Sequence, residues 1–340
     1  MKSVIRQIGI AFLLALAVSA AQTNAPKPAP APTPWLGLIG EYGPADNILY
    51  ILEKDAKLLA SFKRAEPEPL QEISRDVFSF SAGGPHANQR LIFTRDRTGH
   101  ATQVKLETTT LPRRRIEPEA GANQLRVTPV RPVADLLKEA LTAQPPAENG
   151  NFRQPELVEL IKLDPTIRLD VRYATTNNLF GSVFYSEPRA FMQRPAAEAL
   201  VRVSQKLKPL GYGLLVHDAY RPWYVTKVFW DATPNDKKIF VADPAKGSRH
   251  NRGCAVDITL YDLRTKKPIE MVSTYDETTD RAYPNYPGGT SLQRWHRDLL
   301  RAAMEAEGFT VYEAEWWHFD YKDWQQYPIL NLRFDQISPR

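Results

Sequence analysis

The stretch SRHNRGCAVDITL, residues 248–260, sets a histidine and an aspartate seven residues apart around Gly253. A second stretch, EAEWWHFDY at 313–321, holds Glu315 three residues before His318 among aromatic side chains. Imidazole and carboxylate are ligands that zinc takes in hydrolytic sites, about three from the protein with one position kept for water. Gly253 lets the chain turn between His250 and a strand starting near Cys254, so His250 and Asp257 could reach one ion. A glutamate near that ion but not bound to it, Glu315, could take a proton from activated water and pass it to a leaving amine. Trp316 and Trp317 would desolvate that carboxyl and raise its pKa. Taken singly, the His250–Asp257 pair also reads as an ordinary turn running into a strand.

A third stretch, HDAYRP at 217–222, closes an apolar run. Arg221 at a strand end could face the oxyanion formed when water attacks a carbonyl. It could equally form a surface salt bridge with Asp218. His217 reads either as a neighbour of the metal ligands or as a packed histidine. His86 and His100 fall in a β-rich region and read as surface residues; His296, beside Trp295 on a helix, faces solvent or packs.

Composition narrows the field. The chain has 340 residues, 43% hydrophobic and 24% charged, which marks a globular protein. The formal charge of +5 is mild, and no basic run interleaves with aromatics. Arg113, Arg114 and Arg115 read as a solvated linker, so no nucleic-acid partner is expected. At the N-terminus, Lys2 and Arg6 precede the apolar stretch Ile8 to Val18, followed by small residues at Val18-Ser19-Ala20 and Ser19-Ala20-Ala21. This is the pattern of a cleaved signal peptide, residues 1–21, rather than a retained anchor. Its removal lowers the charge to +3 and leaves no transmembrane span. Export across an inner membrane implies a periplasmic location. The single cysteine, Cys254, forbids an intrachain disulfide, so the core or a metal must hold the fold.

The elements that must position these residues can be read coarsely. Residues 22–34 form a proline-rich linker. Residues 35–116 read as a small all-β module, a barrel or an open sheet, with strands at NILYIL, DVFSF, QRLIFTRD and HATQVKLET. Residues 117–151 form a linker with a short helix, VADLLKEALTA, ended by the breaker cluster QPPAENGN. Residues 152–340 mix helix and strand. One helix carries Leu200, Val203 and Leu207 on a face and stops at Gly211; another turns Leu292, Trp295, Leu299 and Met304 inward. YGLLVHD, CAVDITLYDL and EAEWWHFDY are strands. The fold class is α+β, a central antiparallel sheet with flanking helices preceded by a small all-β domain.

Four stretches together make a resemblance specific. SRHNRGCAVDITLYDL, EWWHF, DAYRP and RYATTNNLFG (172–181) are similar to motifs of the zinc D-Ala-D-Ala dipeptidase family, VanX-like, and occur in its order between about residues 157 and 330. The resemblance implies one zinc ion per subunit, with His250, Asp257 and His318 as ligands, Glu315 as general base and acid, and Arg221 stabilising the oxyanion. It implies that Ser248 contacts substrate and that Asp276 helps hold the substrate's amino group, with Glu277 or Asp280 competing for that role. The implied activity is hydrolysis of D-alanyl-D-alanine in the cell envelope. A related D,D-carboxypeptidase or L,D-endopeptidase would use the same site; a non-catalytic zinc module would lack Glu315 or Arg221, and both are present. GLIGEYGP and FTRDRTGHATQVKL resemble the lipocalin-like β module appended to beta-lactamase-like serine hydrolases, which suggests a binding or spacing role, such as cell-wall contact.

Overall fold

The computed structural model describes residues 26–62, 65–114 and 126–337. The expected signal peptide, residues 1–21, lies outside the described residues. Eight short strands come first: β1 (Gly40–Tyr42), β2 (Leu49–Lys54), β3 (Lys57–Phe62), β4 (Glu68–Ser74), β5 (Val77–Phe80), β6 (Arg90–Arg95), β7 (Ala101–Leu106) and β8 (Thr109–Pro112). They pair in chain order, each antiparallel to the next. The two ends meet: Gly43 N donates to Pro112 O and Arg114 N to Glu41 O, both at 2.8 Å, and Tyr42 bridges Arg113. The meander therefore closes into a barrel. An eight-stranded barrel is just wide enough to be filled by side chains, and Leu49, Ile51, Phe78, Phe93 and Val104 fill this one.

β2 departs from the usual alternation. Leu49 and Ile51 point into the barrel, while Ile48, Tyr50 and Leu52 belong to the core of the following α+β unit. A strand buried on both faces reads as a continuous apolar run, which is what NILYIL is. The barrel is thus packed onto its neighbour through shared core.

The second sheet has the order β10-β12-β13-β15-β14: β10 (Arg168–Leu169), β12 (Tyr212–Asp218), β13 (Ala255–Asp262), β15 (Glu315–Tyr321) and β14 (Phe309–Tyr312). Four strands are antiparallel, as expected, but the short β10 runs parallel to β12, so the sheet is mixed. A separate antiparallel pair joins β9 (Leu157–Glu159) to β11 (Phe191–Gln193), which runs directly into the helix Arg194–Leu207.

The longer helices are α1 (Val133–Thr142), α2 (Arg194–Leu207), α3 (Trp223–Ala232) and α4 (Ser291–Glu305). Pro195 opens α2, whose buried face is Ala196, Leu200, Val203 and Leu207. Thr290 and Gln293 form a reciprocal capping box at the start of α4. The buried face of α4 is rotated from the sequence reading: Leu299 and Met304 are inside, but Leu292 and Trp295 are only half-buried. His296 takes the inward place and accepts or donates at Tyr212 Oη, 2.9 Å away. Among the described residues no helix is long and apolar enough to cross a membrane.

Candidate metal centre and cleft

Strand register builds the site. Asp218 of β12, Asp257 of β13 and His318 of β15 sit side by side across three adjacent strands. Directly opposed residues on neighbouring strands bring their side chains within about 5 Å. His250 comes from the turn Arg249–Arg252 just before β13. Gly253 ends that turn at φ 68°, and a Cβ there would meet Leu157 Cδ2 at 2.6 Å, so only glycine fits.

The three ligand candidates converge. His250 Nε2 lies 3.1 Å from His318 Nδ1 and 3.4 Å from Asp257 Oδ1, and His318 Nδ1 lies 3.0 Å from that same oxygen. A tetrahedral ion with bonds of about 2.0–2.1 Å separates its ligand atoms by roughly 3.3 Å. The far nitrogens are tethered. His250 Nδ1–H donates to Ala219 O at 2.7 Å, and His318 Nε2–H to Asp320 Oδ1 at 3.0 Å. Each ring therefore turns one lone pair toward the common centre, the arrangement that orients metal-bound imidazoles. The field favours a cation there. Burial opposes a proton on His318, but Asp257 and Asp320 outweigh it and push its pKa up to about 10. Burial would raise Asp257, but the two histidines hold it well below the usual carboxylate range. A group of two imidazoles and one carboxylate, all buried, fits a divalent metal ion.

Glu315 and His318 are three residues apart on a strand, a spacing that ordinarily puts side chains on opposite faces. An irregularity in the β14–β15 pairing, between Val311 and Tyr312, rotates Glu315 back. Its Oε2 lies 3.8 Å from His318 Nδ1, with a third of the side chain open to the cleft. Burial and the charge of Asp257 push its pKa upward.

Arg221 is buried rather than on the surface, and it does pair with Asp218: Nη2 and Nε lie 2.7 and 2.9 Å from Asp218 Oδ2. The guanidinium also stacks over Phe229 and Tyr173, with 4.9 and 5.2 Å to the ring centroids. Its Nη2 is 3.9 Å from Asp257 Oδ2. Asp276 lines the cleft, where Tyr173 Oη donates to its Oδ2 at 3.1 Å. Burial, with Asp257 and Glu315 nearby, pushes its pKa up to about 8. Glu277, by contrast, is spent on its own loop, against Thr274, Thr279 and Arg281. Ser248 lines the cleft as well, and its Oγ caps the His250 turn at 3.3 Å.

The cleft encloses about 410 Å³ and is lined by Arg221, Ser248, His250, Asp257, Asp276, Glu315 and His318. Its rim carries the exposed apolar pair Ile239 and Phe240. Sequence reasoning missed Tyr275, whose hydroxyl donates to Asp257 Oδ2 at 2.9 Å, and Asp320. Asp320 had a usable signal, since it stands two residues after His318 on the same strand. His217 stays outside the centre, stacked on the Tyr275 ring at 4.7 Å.

A buried cation-seeking triad at the floor of an open cleft, with an unbound acid and a guanidinium beside it, defines a metal-dependent hydrolase. The profile of the Peptidase_M15 family, described as D-ala-D-ala dipeptidase, matches residues 153–337. The chain is 32% identical over 185 residues to the D-alanyl-D-alanine dipeptidase of Escherichia coli K12, covering 54% of this chain and 94% of that one. It is 33% identical over 187 residues to the dipeptidase of that name from Enterococcus faecium, covering 50% and 91%. Against the Streptomyces coelicolor dipeptidase it is 30% identical over 175 residues, covering 46% and 87%. The chain belongs to the D-Ala-D-Ala dipeptidase family and is a metallopeptidase. The barrel lies outside the matched residues.

Proposed function

We propose that this enzyme hydrolyses D-alanyl-D-alanine with zinc, in the cell envelope. The observation that carries the reading is the convergence of His250, Asp257 and His318 with Glu315 Oε2 3.8 Å from His318 and free of the triad. Zinc, when bound by these three residues, supplies Lewis acidity toward a carbonyl oxygen and toward water at neutral pH. Glu315 takes the proton of the attacking water and hands it to the leaving amine; its raised pKa suits both halves of that exchange. Arg221, fixed by Asp218, faces the oxygen on which charge develops. Asp276 pairs with the free amino group, and Ser248 contacts the bound dipeptide.

Residues 1–21 act as a signal peptide that delivers the protein to the periplasm, and residues 22–34 as a spacer. A small all-β module of residues 35–116 and a linker of 117–151 then precede a peptidase domain of 152–340. Activity there would recycle or degrade a peptidoglycan precursor.

The direct test is release of D-alanine from the dipeptide by zinc-loaded protein, abolished by a chelator and by Glu315→Gln. No release with zinc bound sinks the reading. The apolar rim at Ile239 and Phe240 favours a second reading, a peptidase of longer or N-blocked wall peptides. Faster turnover of an N-acetylated peptide than of the free dipeptide would favour it.

A further inference from the structure

The segment joining β13 to α4 enters the cleft at one end and rests on the barrel at the other. At the cleft end Tyr275 is anchored: its hydroxyl bonds Asp257, and its ring lies 4.7 Å from His217 and 5.7 Å from Trp317. Asp276 follows at φ 61°, in the left-handed region. That backbone is unfavourable for a non-glycine residue and persists only where the surroundings hold it. Glu277 helps to hold it, accepting from Thr274 N at 3.3 Å and pairing with Arg281 Nε at 3.3 Å.

The other end is held by the barrel. Tyr286 Oη donates to Glu41 Oε1 at 2.9 Å, and its ring packs edge-on against Tyr50 at 6.0 Å. Glu41 is 4% exposed, and its second oxygen meets Arg114 Nε at 3.1 Å. Glu53 N donates to Gly289 O at 3.1 Å, and Glu53 Oε2 accepts from Ser291 N at 2.7 Å, at the start of α4. Arg294 Nη2 donates to Glu53 O at 2.6 Å. These are buried or half-buried polar contacts across two units. A buried carboxylate holds its place only while its partners are there, because leaving it unpaired carries the full desolvation penalty.

We propose that Glu41 is a positioning residue for substrate binding: acting through Tyr286, it fixes the segment 271–290 so that Asp276 meets the substrate's amino group. The barrel is then part of the binding apparatus rather than a tethered accessory. This inference rests on the dipeptidase reading for the role of Asp276; the fixing of the segment by Glu41 and Tyr286 does not depend on it.

The test uses the full chain. Tyr286→Phe removes one hydroxyl and leaves the Glu41–Arg114 pair intact. It should raise KM for D-Ala-D-Ala about three- to tenfold, with kcat within about twofold of the parent. Glu41→Ala should behave alike, and Glu41→Gln, which keeps an acceptor for Tyr286, should restore most of the KM. In a double-mutant cycle, Tyr286→Phe should add little to the KM of Asp276→Asn, since both act on one contact. Additive effects, or loss in kcat with unchanged KM, would overturn the proposal. Hydrogen exchange supplies an arm free of turnover. Amides of residues 271–286 should exchange faster in Tyr286→Phe while the barrel strands keep their rates; unchanged exchange there overturns it as well. If the parent chain fails to cleave the dipeptide, the substrate reading falls and the exchange arm alone decides this one.

Discussion

His318 Nε2 lies 3.0 Å from Asp320 Oδ1, and the other oxygen of Asp320 is 2.8 Å from Arg249 Nη1. The carboxylate thus fixes both the tautomer and the tilt of the ring, leaving Nδ1 to face Asp257 and His250. Loss of such a partner typically weakens metal affinity 10- to 100-fold. Asp320→Ala should lower zinc affinity by about that factor, read by competition with a chromophoric chelator. Equal affinities in parent and variant would show that Asp320 does not orient His318.

Arg221 and Asp218 form a buried pair, so truncating either strands a charge and is expected to cost about 3–5 kcal/mol of stability. Arg221→Lys is the sharper probe. It keeps the charge but loses the planar contact to Asp218 and the stacking on Phe229 and Tyr173. Its kcat should fall about 100-fold, as for loss of one oxyanion donor, with KM changed far less. A KM effect larger than the kcat effect would mean that Arg221 binds ground-state substrate instead.

The parts of this site legible in the sequence are those whose signal is local. Gly253 between His250 and Asp257 announced a turn into a strand, and Pro222 the start of α3. Glu315 and His318 were recognisable as a pair only from their residue types, because their spacing is wrong for one strand face until the pairing irregularity opposite Tyr312 is known. NILYIL was readable as a strand, yet its lack of alternation also encoded a second buried face, and the docking of the barrel follows from it. β10 is two residues long and parallel to its neighbour, too short to leave any periodic trace. The Glu41–Tyr286 contact joins residues 245 apart in sequence, and nothing local marks it.

Cys254 is fully buried immediately before β13, and burial pushes its thiol up to about 12. A thiolate is the reactive species, so the native protein should be inert to a disulfide reagent at pH 8. Unfolding in guanidinium should release one equivalent of thiol, the chain's single cysteine. Rapid labelling of the native chain would place this strand edge in water.

Acid should loosen the fold in two windows set by two buried groups. His296 is held low, at about 4, by burial and by Lys27, so the folded chain keeps it neutral. Its contribution is full above the unfolded value of about 6.5 and is lost as pH falls from there toward 4, because the unfolded chain takes the proton first. Asp164 behaves in the same direction at lower pH. Burial raises it, but Thr166, Lys208 and Ser204 hydrogen-bond it at 2.6, 2.9 and 2.8 Å and bring it down to about 2. Its contribution, on the order of 2 kcal/mol, is present above about pH 4 and fades toward pH 2. Urea midpoints of chelator-treated protein across pH 2–8 test both windows without a change in metal content. His296→Gln should flatten the curve between pH 6.5 and 4. Asp164→Asn should lower stability at neutral pH and flatten the curve below pH 4, so that it meets the parent near pH 2. Parallel curves for parent and Asp164→Asn down to pH 2 would mean that this carboxylate is no better held in the folded chain than in the unfolded one.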